Sequence, residues 1–112
     1  MEIHGTGHDA GMAILRYSAD ASGPTIVLGK SRNATIGSNS TVSENDNLGA
    51  VEFYGTDTNF EPGAAIKAFA DGEWLSGGDN TDAPGRLSFW TTPNGADDLV
   101  ERLRIANDGR IT

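Results

Sequence analysis

The chain has 112 residues, no cysteine, and a formal net charge of −8 from 16 acidic and 8 basic residues. That length allows one core, the charge opposes a nucleic-acid partner, and the missing cysteines exclude a disulfide framework and thiolate chemistry. Leu, Ile, Val and Phe number only 22 and glycine 15, so the core is lean, turns are frequent, and partner chains are expected to bury what one copy cannot.

In chain order, the residues predict short strands separated by turns. Residues 13–17 read as a strand, and Asp20-Ala21-Ser22-Gly23-Pro24 as a turn. Residues 25–28 are β-branched and apolar, with Gly29 closing the run. Residues 31–47 are rich in Ser, Thr and Asn, a surface excursion with one weak strand at Thr35-Ile36. Residues 49–54 alternate, with Val51 and Phe53 on one face. Residues 64–70 can be read two ways: the alanines favour helix, but Gly63 and Asp71-Gly72 confine the segment.

Asp71-Gly72 before Glu73-Trp74-Leu75 has the signature of a hairpin turn. Residues 86–92 form the clearest strand, Leu87 and Phe89 opposing Ser88 and Trp90. Pro93-Asn94-Gly95 then turns the chain, and residues 100–105 run back, with a helical start open at 96–99. Asn107-Asp108-Gly109 supplies a last turn before the short arm of residues 110–112. The fold class expected is all-β, an antiparallel meander or sandwich of short strands forming one module over residues 1–112. The start carries no basic–apolar leader and no apolar run reaches about 18 residues, so neither membrane insertion nor a visible export signal is expected.

Several stretches imitate reactive motifs. Gly23 and Gly29, ahead of Lys30-Ser31, suggest a phosphate loop, but five residues separate the glycines where the loop needs four, and Thr25-Ile26-Val27-Leu28 prefers to be extended. His4 and His8, with Asp9, have metal-ligand spacing only on a helix, which Gly5, Gly7 and Gly11 oppose. The loops Glu44-Asn45-Asp46-Asn47 and Asp79-Asn80-Thr81-Asp82 carry oxygen ligands of the kind calcium takes, yet neither spans a full calcium loop, and Asn/Asp turn chemistry accounts for them. Two sequons, at Asn33 and Asn39, sit in the same Ser/Thr/Asn-rich excursion. No pair among the 16 acids is marked as a buried catalytic pair. No cofactor and no enzymatic activity are expected.

One ordered set of motifs is more specific. Ala64-Ala65-Ile66-Lys67-Ala68, Asp71-Gly72, Pro84-Gly85-Arg86-Leu87, Phe89-Trp90-Thr91-Thr92, Asn94-Gly95 and Glu101-Arg102-Leu103-Arg104-Ile105 follow one another. This order resembles a module of phage tail-fibre and related adhesin-like fibre proteins. Residues 2–20 and 23–33 look like the upstream half of the same module. The resemblance implies a homotrimeric, non-enzymatic structural module of a virion fibre or other appendage, found ahead of C-terminal chaperone domains. Its implied partners are adjacent fibre modules and other virion structural proteins, and residues 110–112 are then a junction.

For such an assembly, Leu87, Phe89, Leu103 and Ile105 are the expected shared core, with Arg86, Arg102 and Arg104 setting register. A bidentate arginine–carboxylate pair, with Glu101 or Asp97 as partner, fixes register better than lysine; the same arginines on a solvated face simply block edge aggregation. The alternative reading is a carbohydrate- or host-receptor-binding module contacting glycan through Trp74, Trp90, Asp79 and Asp82. A capsid decoration protein is a third.

Overall fold

The computed structural model describes residues 1–7 and 10–112. Four strands form one antiparallel sheet in chain order: β1 (Asn47–Thr56), β2 (Phe60–Ala70), β3 (Gly85–Thr91) and β4 (Val100–Ile105). Of the two expected all-β forms, the chain takes the meander. Residues 64–70 are strand: pairing with β1 on one side and β3 on the other satisfies their backbone, which outweighs alanine's helix preference.

The register is pinned by irregularities. Pro62-Gly63 interrupts the β1–β2 pairing, so Tyr54 opposes Pro62 while Phe53 opposes Ala64; proline has no N–H to give the ladder and is tolerated at such a shift. Thr92 closes this corner by donating its N–H to the Gly63 carbonyl (3.0 Å) and its hydroxyl to that of Pro62 (2.6 Å). In β4 the partner of Phe89 is Leu103 and that of Trp90 is Glu101, leaving Arg102 as an extra residue.

The Asp71-Gly72 hairpin does not form. Gly72 does take a positive φ of 140°, but residues 73–75 do not return as a strand. Residues 71–84 instead make a long loop containing a single 3-10 turn, Ser76–Gly78. The Pro84 carbonyl closes the loop's base, accepting from the Asp71 amide and from Trp74 Nε1, each at 2.9 Å. Gly95 (φ 82°) and Gly109 (φ 86°) make the later turns as expected, whereas residues 96–99 are not helical. Arg104 and Thr112 exchange backbone hydrogen bonds at 2.8 and 2.9 Å, so the short last arm does return.

Residues 13–17, 25–28 and 35–36 are not paired as strands. The first two are extended legs of an arm at the N-terminal side, and Ile36 is fully exposed in a turn. Among the described residues, the buried hydrophobic ones are Val42, Ala65 and Ala70, which makes a very small core. No helix among the described residues is long and apolar enough to cross a membrane.

Candidate functional site

Side chains alternate across a strand, and directly paired residues share a face. The register therefore divides the sheet into two unlike surfaces. One carries Val51 and Phe53 from β1, Ile66 from β2, Leu87 and Phe89 from β3, and Leu103 and Ile105 from β4. Leu87 opposes Ile105 and Phe89 opposes Leu103, so the four residues expected to form a shared core are neighbours on one face. That face is uncovered: Val51, Phe53, Ile66, Leu87 and Leu103 are 36–55% exposed. An apolar surface continuous over four strands is unusual for a free-standing soluble chain.

The opposite face covers itself. It carries Lys67 and Phe69 from β2, Arg86, Ser88 and Trp90 from β3, and Glu101 and Arg104 from β4. Long side chains lie over small ones, so Ser88 and Ala65 are buried although no second layer packs on them. The Lys67 ammonium stands 4.8 Å from the Trp90 ring centroid, and the Arg86 guanidinium 4.7 Å from that of Phe69. Trp90 donates its Nε1–H to Ser88 Oγ at 2.7 Å.

Arg86 is the centre of this surface. Only 9% exposed, it donates through Nη1 to Asn45 Oδ1 (2.8 Å), the Ala70 carbonyl (3.3 Å) and Asp71 Oδ1 (3.3 Å). Its Nε is buried and has no partner among the described residues. Asn45 reaches its place through a left-handed backbone (φ 70°), which asparagine tolerates better than most residues. Asp71 in turn accepts from the Asn107 backbone N–H and Nδ2, both at 2.9 Å. The Asn107 amide, with Arg86 adding its charge, holds the Asp71 carboxyl below the usual aspartate range.

Arg104 meets Glu101 through two hydrogen bonds of 2.8 Å. Residues three apart on a regular strand point to opposite faces; the extra residue Arg102 returns Glu101 to the face of Arg104. The ion pair lowers the Glu101 carboxyl and raises the Arg104 guanidinium. Arg102 is exposed and donates its Nε–H to Thr91 Oγ1 at 2.9 Å. Asn45, Asp71 and Asn107 were not visible as partners in the sequence, because turn-type Asn and Asp residues carry no sign of a distant arginine.

Of the four residues expected to touch glycan, two share a cleft. Trp74 and Asp82 line a cleft of about 540 Å³ with Lys30, Asn39, Ser40 and Asn80. Asp79 is exposed and accepts from the Thr81 amide (2.9 Å) and hydroxyl (2.6 Å), an Asx turn. Trp90 is half-buried in the sheet under Lys67 and does not line the cleft. Of the loop that resembled calcium ligands, Asp46 is engaged by Arg32 at 2.6 and 2.8 Å and Asn45 by Arg86. His4 lies 3.3 Å from Glu2; His8 and Asp9 fall outside the described residues.

No known family and no curated protein matches the chain. Among solved structures it is similar to the carboxy-terminal domain of the bacteriophage T5 L-shaped tail fibre. The TM-score is 0.67 at 17% identity, and the match covers 90% of this chain but 36% of the other. The chain therefore shares the fold of a phage tail-fibre domain and spans about a third of that neighbour's length.

Proposed function

We propose that this chain is a non-enzymatic structural module of a phage fibre or similar virion appendage, and that three copies assemble by burying the apolar sheet face. The observation that carries the reading is that uncovered face: Leu87, Phe89, Leu103 and Ile105 adjoin one another, and little else in the chain forms a core. Surface bookkeeping agrees. A compact chain of 11.7 kDa exposes about 5,900 Å², whereas this one exposes 8746 Å². The excess is on the scale that obligate interfaces hide. The tail-fibre fold supplies the setting, and three is the copy number that the motif resemblance implies.

Light scattering on a size-exclusion column, at several dilutions, tests this. The expected mass is three times 11.7 kDa, held on dilution. A folded species at the mass of one chain would overturn the shared core.

A second reading, glycan contact, rests on the Trp74 cleft, lined by that indole with two amides, three hydroxyls, an ammonium and a carboxylate. Such a mixture of one aromatic with convergent polar groups suits a sugar. Its test is titration of oligosaccharides against tryptophan fluorescence; a response lost in Trp74→Ala supports it, and silence across broad glycans removes it.

A further inference from the structure

Residues 10–30 are exposed throughout. Their two legs, residues 12–17 and 24–28, are joined by a polar bend in which Asp20 accepts from Arg16 at 2.7 Å and from the Ser22 amide at 2.9 Å. Met12, Ile14, Leu15, Tyr17, Ile26 and Val27 are 44–91% exposed. Among the described residues, no backbone hydrogen bond joins either leg to the other or to the sheet. Between the legs Met12, Ile14, Pro24 and Ile26 line an open furrow of about 270 Å³.

Leu28 marks where this arm meets the sheet. Its Cβ lies 2.8 Å from where a Cβ on Gly49 would stand, so only glycine admits it. With Leu48, Val51, Ile66 and Leu87 it lines an apolar furrow of about 180 Å³ on the uncovered face. The face thus receives a leg residue at one point, while Val51, Phe53 and the rest of the β1–β2 half stay open. The outer edge of β1 is also unpaired.

We propose that the arm is an exchanged element: the legs of one copy cover the β1–β2 half of the apolar face, around Val51, Phe53 and Ile66, on the next copy. The inference rests on the assembly reading above and divides the face between two tasks. The β3–β4 half meets its equivalents, and the β1–β2 half meets a neighbour's arm. Both surfaces are apolar, and apart from the Leu28 contact both stay uncovered by their own chain. An arm passed from each copy to the next is a heterologous contact, which closes only as a ring.

The chain has no cysteine, so introduced thiols report on themselves alone. Differently tagged chains carrying Ile26→Cys and Val51→Cys are folded together and treated with a short bis-maleimide. A linked product bearing both tags is expected, several-fold above that from Ile26→Cys with Asn94→Cys in an exposed turn. In the unsubstituted assembly, amide exchange across residues 12–28 is expected to slow at least tenfold relative to an unstructured peptide. Trimer mass with no excess cross-link, or with exchange at the free-peptide rate, overturns the arm's placement and leaves the assembly reading standing. The mass of one chain overturns both. A doubly substituted chain that links only within itself shows the arm folding back on its own sheet, which also overturns the exchange.

Discussion

Arg86 ties separate segments of the chain to the sheet. Three acceptors and the Phe69 ring converge on it, and two of those acceptors lie far apart in sequence, Asn45 ahead of β1 and Asp71 just after β2. Arg86→Ala is expected to destabilise the chain by about 2–3 kcal/mol in urea unfolding, since charged hydrogen bonds and stacking disappear together. Arg86→Lys should recover less than half, because a single ammonium cannot serve spread acceptors while lying flat on a ring. The sequence marked this arginine as a register-setting residue, yet could not show that partners 41 and 15 residues away occupy its Nη1. Phe89 gives a sharper contrast. It is half-buried in the single chain, so Phe89→Ala costs about 1–2 kcal/mol there and about 3–5 kcal/mol where a second copy completes its burial. Comparing the loss in urea at concentrations above and below dissociation separates the two.

Among the elements, the sheet was legible and its surroundings were not. Residues 49–54, 86–92 and 100–105 announce themselves because alternation is a local property of a strand with one apolar face. The two arm legs carry equally good strand chemistry but lack a partner within the chain, and pairing is non-local. The extra residue Arg102 was likewise invisible, since a bulge is defined by what lies opposite. Two tests belong here. Gly49→Ala forces Leu28 out of its seat, so limited proteolysis within residues 10–30 should quicken several-fold while the sheet's circular dichroism is unchanged. The tie between the last turn and the β2–β3 loop, Asp71 to Asn107, is acid-sensitive. Asp71 and Glu101 bind protons less readily folded than unfolded, so lowering the pH favours the unfolded chain. Melting temperature should stay level above about pH 5 and fall below about pH 4, less steeply in Asp71→Asn.

The whole molecule is too open for its length. Its radius of gyration is 17.7 Å, against about 13 Å for a compact chain of this size. The lean composition foretold this: a chain with so few large aliphatic residues, many of them at the surface, keeps little for an interior. What composition could not indicate is where the apolar residues would be placed, because the division into faces depends on register. With the arm drawn in and the face covered, a scattering experiment should report an assembled particle whose radius per chain is below that of the separate chain. Small-angle scattering across a dilution series checks this, and a radius per chain that never contracts would count against assembly.

The two faces of the sheet also settle on different clocks. The charged face needs nothing from outside, so a newly made chain can complete it at the speed of a single-molecule event. On the proposed assembly, the apolar face waits for encounters, and the wait lengthens with dilution. Between the two lies an interval in which a correctly folded sheet is vulnerable to proteases and to wrong partners. Its length is set by supply of the chain rather than by the chain's own stability.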